Sequence, residues 1–497
     1  PAGTALRPCR TGRAHLMLPP GRTRWMAFMV LCLGSLMIVL DVTIINVALP
    51  SIRTSLGFSQ TSLAWVVNSY LLTFGGFLLL GGRLGDLFGP RRVFVAGIVA
   101  FTLASVACGL ATSQAWLVAA RAVQGLGGAA VAAVSLSLTM ALFVEPDERA
   151  GAMGVFGFVE AGGGSVGVLL GGVLTGVLDW HWIFFVNAPI GVAVTVAALR
   201  LLPPDEVPEH RGRLDVAGAV MVTLALLLAI SAVVGGNDAG WASPRTVGQL
   251  GAAGLLLAAF AVRELRATSP LMPLGLFRYR SLTTANVIGV LWAAAIFAWF
   301  FLSALYLQLV LGYGPLHVGL AFLPANVVMG ALSVAASARL VTRFGTRKPL
   351  VGGLLLATAG LLLFSRAPLG GHFPTDVLPA MVLLGLGAGI AFNPLLLAAM
   401  SDADPDDSGI ASGIVNTSFM MGGALGLAVM ASVAAARTSR LVTAGRPHLE
   451  ALLAGYRSAF LAGALCALAA AALTVLLPDR ARSAEGEPAG EARAVRV

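Results

Sequence analysis

Three charged residues lie inside long apolar stretches of this chain, where ionisable side chains are rare. They are Asp41, Arg121 and Glu160. A charge at the centre of a lipid bilayer costs about 2.5–3.5 kcal/mol on insertion scales, so such a residue is a candidate for function before it is a candidate for packing. A carboxylate can take up and release a proton, and a guanidinium beside it can stabilise its charged form. We therefore expect the three residues to couple proton binding to an event inside the membrane.

The depths of these residues follow from the apolar stretches that contain them. Asp41 lies eight residues before the end of the stretch 26–49, and Arg121 lies five residues after the start of 116–142. At 1.5 Å per helical residue, the two are about 12 Å and about 7.5 Å from the same membrane face. Glu160 lies in the inner half of 153–177. It is predicted to bind a cationic substrate or a second proton, or else to extend towards the headgroups.

A repeated loop motif predicts a gate. The segment 82–92, Gly-Arg-Leu-Gly-Asp-Leu-Phe-Gly-Pro-Arg-Arg, recurs at 338–348 as Ala-Arg-Leu-Val-Thr-Arg-Phe-Gly-Thr-Arg-Lys, with five of eleven positions identical. An acid such as Asp86 can contact the N-terminus of a helix, and Arg91 and Arg92 can pair with acids across an interface. These three residues are predicted to latch the cytoplasmic gate. Simple anchoring by positive charge is the alternative for the arginines.

A glycine ladder predicts a close helix contact. Gly163, Gly167 and Gly171 recur every four residues and therefore share one helix face, where another helix can approach closely. In a protein that changes conformation, this packing surface would also be a sliding surface. The three glycines are therefore assigned to gating.

The overall composition defines the class of protein. Apolar residues make up 58% of the 497 residues and charged residues only 11%, against about 25% in soluble domains. The net charge of +9 does not indicate nucleic-acid binding, because the basic residues stand between apolar runs and act as topology signals. The single lysine, Lys348, excludes the lysine-containing phosphate loop of ATPases. The four scattered cysteines predict neither a metal site nor disulfides, and no cofactor is expected.

Fourteen stretches are long enough to span a bilayer. They are 26–49, 63–81, 93–111, 116–142, 153–177, 183–201, 216–235, 247–263, 283–309, 315–337, 349–365, 377–400, 409–435 and 457–477. The repeated loop follows the second helix of two six-helix sets, which predicts two parallel bundles with a substrate site between them. The predicted divisions are an N-terminal tail (1–25), a first bundle (26–201), a linker with inserted helices 7 and 8 (202–282), a second bundle (283–477) and a C-terminal tail (478–497). Most basic residues fall on the side of the N-terminus, so both tails are predicted to be cytoplasmic.

Four motifs in the same order resemble the major facilitator superfamily, and within it the fourteen-helix drug:proton antiporters. They are Leu40-Asp-Val-Thr-Ile-Ile-Asn-Val-Ala-Leu-Pro50, the loop 82–92, Arg121-Ala-Val-Gln-Gly125, and the stretch from Tyr306-Leu-Gln308 to Phe322-Leu-Pro324. The segment 163–172 is similar to the fifth-helix antiporter motif, but Val168 stands where that motif has proline. The resemblance implies a major facilitator fold in which the helices of Asp41 and Arg121 adjoin.

Aromatic and amide residues within the spans are candidates for a substrate cavity. An aromatic wall with sparse polar groups suits bulky, amphipathic and cationic compounds. For any one of these residues, packing or a lipid-facing position is the alternative. The residues assigned to substrate binding are Asn68, Trp292, Trp299, Gln308, Asn393 and Asn416.

The sequence thus predicts an all-α, multi-pass protein of the cell membrane, functional as a monomer, that exports lipophilic or cationic small molecules in exchange for protons. The alternative within the same family is a symporter or uniporter that imports a nutrient, and the direction of transport distinguishes the two. A membrane-embedded enzyme is a more distant alternative, because no paired acidic metal motif and no nucleophile motif is present.

Overall fold

The computed structural model describes residues 21–477 except 144, 206–214, 268–271, 273, 336 and 402–407. Within these residues the secondary structure is helical throughout, with no strand. The α-helices are α1 (Gly21–Leu56), α2 (Trp65–Phe88), α3 (Pro90–Gly109), α4 (Gln114–Leu142), α5 (Pro146–Val177), α6 (Trp182–Phe185), α7 (Asn187–Leu201), α8 (Val216–Ala239), α9 (Pro244–Arg266), α10 (Arg280–Leu305), α11 (Pro315–Ala335), α12 (Ser337–Phe344), α13 (Arg347–Phe364), α14 (Leu378–Met400), α15 (Ser408–Thr443) and α16 (His448–Leu473).

Each of the fourteen predicted stretches contains a helix, and the all-α membrane fold is confirmed. Thirteen helical segments in the described part of the chain are long and apolar enough to cross a bilayer, and α5 adds the shorter apolar segment Gly162–Val177. Several helices extend beyond their apolar stretches; α1, for example, begins at Gly21 and ends at Leu56, whereas its stretch is 26–49. The C-terminal tail, residues 1–20 of the N-terminal tail and residues 206–214 of the linker lie outside the described residues. We call the face where α1 begins the inner face and the face where it ends the outer face.

The helices pack in two groups. Helices α1–α7 contact mainly one another, as do α10–α16, while α8 and α9 form a pair at the side. The two groups meet most extensively where α5 packs on α11 and where α2 packs on α15. The predicted division at 26–201, 202–282 and 283–477 stays a prediction, and this packing agrees with it.

The repeated loop has a matching backbone in its two copies. Gly89, between α2 and α3, has a φ of 94°, and Gly345, between α12 and α13, has a φ of 75°. These glycines occupy the same position of the eleven-residue motif. Positive φ is unfavourable for residues with a Cβ atom. The backbone therefore favours glycine at this position in both copies.

The glycine ladder of α5 faces α1. A Cβ atom on Gly163 would lie 2.9 Å from Leu36 Cδ1, and one on Gly171 would lie 2.7 Å from the carbonyl oxygen of Ile44. The neighbouring face of α5 meets the other group, because a Cβ on Gly172 would lie 2.8 Å from the carbonyl oxygen of Pro315 in α11. The close approach is as the sequence predicts. The contact between the two groups uses the adjacent face of α5, however, so the gating role of the ladder stays a prediction.

We expect Gly171→Ala to destabilise the protein by about 1–3 kcal/mol, the usual range for overpacking, because the added methyl group would collide with the backbone of α1. Gly164→Ala is the matched control on the same helix, since its Cβ would lie 3.9 Å from the nearest atom, Thr43 Cγ2. Thermal unfolding of the purified variants in detergent measures the difference. Equal unfolding temperatures for the two variants would contradict this account of the contact.

Candidate functional site

The side chain of Asp41 lies at the centre of a polar cluster inside the α1–α7 group. It is fully buried, and Arg121 is 1% exposed. Asp41 comes from α1, Arg121 and Gln124 from α4, and Asn187 from the start of α7. The Nη1 atom of Arg121 donates a hydrogen bond to Asp41 Oδ2, so the two residues form a buried ion pair. The structure therefore brings together two of the three charged residues that the sequence singled out.

Two amides complete the shell around the Asp41 carboxylate. Gln124 Nε2 donates to Asp41 Oδ1 at 2.7 Å, and Asn187 Nδ2 contacts the same oxygen at 3.4 Å. Both carboxylate oxygens therefore have donors, which offsets the large desolvation penalty of a buried charge. Asn187 also donates to the hydroxyl of Ser105 on α3, and that hydroxyl donates to the carbonyl of Phe184.

Arg121 has four further partners besides Asp41. Its Nε atom donates to the carbonyl oxygen of Val66 at 3.1 Å, and Nη1 also donates to Gln124 Oε1 at 2.8 Å. The guanidinium lies 4.4 Å from the ring centroid of Tyr70 and 5.9 Å from that of Phe184. A cation on aromatic faces is stabilised without a counter-charge. Arg121 thus has interactions that would remain if the charge of Asp41 were lost.

Gln124 contacts both Asp41 and Arg121. Its Nε2 donates to Asp41 and its Oε1 accepts from Arg121, so one amide contacts both members of the ion pair. Sequence reasoning did not assign Gln124, although it lies three residues after Arg121 and therefore on the same helix face. Asn187 was also missed. It has no comparable signal, because it is a single amide at the start of a helix outside any periodic pattern.

The third charged candidate, Glu160, lies within α5. Its side chain lies outside the described residues. Its assignment to proton or substrate binding stays a prediction.

The acid that contacts the N-terminus of α3 is not Asp86, as predicted for the inner latch, but Asp205. Asp86 lies near Arg83 of its own helix at 3.9 Å, and both side chains are exposed. The acid at the N-terminus of α3 is Asp205, which accepts from the backbone N–H groups of Arg91 at 2.8 Å and Arg92 at 3.0 Å. Asp205 follows α7, so these contacts lie within the α1–α7 group. In this conformation they do not join the two groups, and the gating role of Asp86, Arg91 and Arg92 stays a prediction.

The six residues predicted to bind substrate are distributed over several helices. Asn68 is fully buried on α2, and neither atom of its amide has a hydrogen-bond partner among the described residues. Trp292 and Trp299 are buried on α10. Asn393 on α14 is half-buried and donates to the carbonyl of Ser333. Asn416 is half-buried on α15. No hydrogen bond in the described part of the chain joins any two of the six, and their assignment stays a prediction.

Gln308 makes a contact between the two helix groups. It lies in a π-helical turn, Tyr306–Val310, that continues α10 at the outer face. Its Nε2 atom donates to the carbonyl oxygen of Val47 on α1 at 2.8 Å. Val47 is six residues beyond Asp41 on the same helix, about 9 Å along its axis. The outer part of α1 is thus joined to the second group.

The fold and this cluster define a membrane transporter with two packed helix groups rather than an enzyme. The family model of the Major Facilitator Superfamily matches residues 31–427, and the chain belongs to this family. A bacterial homologue of the human lysosomal transporter Spinster has the same fold. Its TM-score is 0.65 at 16% sequence identity, with 92% of this chain and 97% of that chain covered.

Curated relatives cover nearly the whole chain. The puromycin resistance protein pur8 of Streptomyces alboniger is 38% identical over 474 residues, covering 94% of each chain. The cephamycin export protein CmcT of Amycolatopsis lactamdurans is 40% identical over 465 residues, covering 92% of this chain and 93% of the relative. The lincomycin resistance protein of Streptomyces lincolnensis is 36% identical over 472 residues, covering 94% of each.

We expect Arg121→Met to destabilise the protein by about 3–5 kcal/mol, because it leaves the buried Asp41 carboxylate without its counter-charge, and Asp41→Leu to destabilise it less, because Arg121 keeps its contacts with Val66, Gln124 and Tyr70. The double variant Asp41→Leu/Arg121→Met should be more stable than either single variant, since it leaves no buried charge. Thermal unfolding of the four proteins in detergent completes this double-mutant cycle. Additive losses in the double variant would show that the two side chains are energetically independent.

Proposed function

We propose that this transporter exports lipophilic small molecules across the cytoplasmic membrane in exchange for protons, as a monomer with both termini in the cytoplasm. The observation that carries the proposal is the buried carboxylate of Asp41, held by Arg121 and two amides inside the membrane-spanning region. The names of the relatives support export, since one is a cephamycin export protein and two are resistance proteins.

The proton would act by changing the partners of Arg121. When Asp41 is ionised, the Arg121–Asp41 pair holds α1 against α4. Protonation removes the charge of Asp41, and Arg121 keeps its contacts with the Val66 carbonyl, Gln124 and the Tyr70 ring. The attraction between α1 and α4 falls while the fold retains its other contacts. Loss of the proton would restore the original arrangement.

This change would be transmitted along α1 to the outer face. Gln308 joins α1 to the second group at Val47, so a small displacement of α1 would strain that hydrogen bond. Protonation of Asp41 and separation of the two groups at the outer face would then favour each other. Reciprocal coupling of this kind is what an exchange of proton for substrate requires.

The substrate would lie between the two groups near the membrane midplane. Asn68, Trp292, Trp299, Asn393 and Asn416 are the candidates to contact it, and the aromatic residues suit lipophilic compounds. Glu160 would contact cationic compounds or a second proton. The inner loop of Asp86, Arg91 and Arg92 would bias the equilibrium between inward- and outward-open states.

We expect Asp41→Asn to abolish proton-driven export while the protein still reaches the membrane, because the amide preserves the shape but does not titrate. The assay is substrate-induced proton movement in everted vesicles, with puromycin and lincomycin as probes, together with growth of an efflux-deficient host on both drugs. Asp179→Asn, which changes an exposed carboxylate, is the control and should behave as wild type. Undiminished proton movement in Asp41→Asn would refute the role of this residue, and unchanged drug tolerance with the wild-type chain would argue against export of these probes.

We expect Gln308→Leu to favour the outward-open state by about two- to tenfold, the range that corresponds to the loss of one hydrogen bond. Gln114→Leu is the matched control, because Gln114 also donates to carbonyls at the end of α1, those of Leu56 and Gly57, but within one helix group. Maleimide labelling of a cysteine introduced at Ser51, in a background without native cysteines, reports the opening. Equal labelling rates in the two variants would show that Gln308 does not hold the outer face closed.

A further inference from the structure

A lateral cleft lies at the outer face, away from the Asp41 cluster. It has a volume of about 380 Å³ and lies between α8, α15 and α16. Apolar side chains form one part of its wall, and two arginines stand at its outer end. Its lining includes Val233, Trp241, Val433, Arg437, Arg440 and Ser458. The side chains of Arg437 and Arg440 are exposed.

The depth of the cleft follows from the sequence of α15. Residues 408–436 contain no charged side chain, and Arg437 is the first charge towards the outer face. An uncharged stretch of this length exceeds the bilayer core of about 30 Å, so Arg437 and Arg440 are expected at the level of the lipid headgroups. The apolar part of the cleft then lies at the level of the acyl chains. Trp241, at the end of α8, also suits the interface.

The polar groups of the cleft are already satisfied, except for the arginines. Asn237 donates to the carbonyl and the hydroxyl of Ser432, and it accepts from Trp241 Nε1. Ser458 donates to the carbonyl of Ala454. Arg437 and Arg440, by contrast, take part in no ion pair and no side-chain hydrogen bond within the described part of the chain. The side chains of the cleft that can bind a ligand are therefore the two positively charged arginines.

The two arginines are placed to act on one anion. They are three residues apart on α15 and so lie on the same helix face. A guanidinium binds phosphate oxygens through paired N–H donors, and two neighbouring guanidiniums can contact both non-bridging oxygens of a phosphodiester, which carries one negative charge. The wall of Val233, Val429 and Val433 below them offers an apolar surface to a chain attached to that phosphate.

We propose that this cleft binds an anionic phospholipid, with the phosphate at Arg437 and Arg440 and an acyl chain along the valines. The site lies between α8 and the second helix group. A bound lipid would thus fasten the inserted helix to that group.

The test is lipid binding to the purified full-length protein, measured by native mass spectrometry with dioleoyl phosphatidylglycerol and with dioleoyl phosphatidylcholine. The wild type should prefer phosphatidylglycerol. Arg437→Gln/Arg440→Gln should bind it about 25-fold more weakly, at about fivefold for each arginine near the membrane surface, with phosphatidylcholine unchanged. Arg245→Gln/Arg366→Gln removes two exposed arginines on the same face and should leave both affinities as in wild type. Equal loss in the two double variants would show a general charge effect and overturn the site.

Two further arms locate the ligand and identify its source. Phosphatidylglycerol brominated on its chains should quench tryptophan fluorescence less in Trp241→Phe than in wild type, because Trp241 lines the cleft. Quenching that does not change with this variant would place the lipid elsewhere. Inorganic phosphate should not displace the lipid. Displacement at millimolar phosphate would indicate a site for free anions and overturn the assignment to a lipid.

Discussion

The buried pair of Asp41 and Arg121 constrains the arrangement of the helices around it. Separating the two charges in a low-dielectric interior would remove the counter-charge of each, so the pair favours a close contact between α1 and α4 unless one charge is neutralised. Gln124 and Asn187 give Asp41 further donors, and Gln124 and the Val66 carbonyl give Arg121 further acceptors. The other helices of the first group enclose this cluster, since α3 contributes Ser105 and α7 contributes Asn187.

Close packing of α1 on α5 supports the same arrangement from the other side. The ladder glycines meet the segment of α1 on either side of Asp41, and the backbones of the two helices approach more closely than residues with a Cβ would allow. One face of α1 therefore contacts glycine while another presents its carboxylate to α4 and α7. Because α1 uses different faces for the two contacts, the close packing on the α5 glycines does not interfere with the Asp41 side chain. The contact with α1 is also compatible with Val168. This residue is buried, its backbone carbonyl lies against Gly319 of α11, and the glycines on either side of it, Gly167 and Gly171, keep their close contact with α1.

Long apolar runs predicted the helical fold, and the rarity of charges inside them singled out Asp41 and Arg121. The matching depths of the two residues made a pair possible, but their contact was predicted only through the family resemblance, which implied that their helices adjoin. The partner of the α3 N-terminus was not predictable in this way. Asp86 lies nearer in sequence, yet Asp205 makes the contact because the chain folds back after α7. Asn187 was missed for a related reason, since an amide acquires its role only when tertiary packing brings it to the carboxylate.

Helix α8 touches both helix groups, but its two attachments differ in kind. Towards α15 it is fixed by hydrogen bonds, from Asn237 to Ser432 and from Ser432 to the carbonyl of Val233. Towards α2 it has a smooth contact, in which Thr223 lies over Gly76 and Ala219 packs beside Leu80. Directional bonds hold a fixed register, whereas a contact on glycine and alkyl groups permits sliding. If the two groups move relative to each other, as the proposed transport requires, α8 would therefore move with the second group, and its contact with α2 would shift.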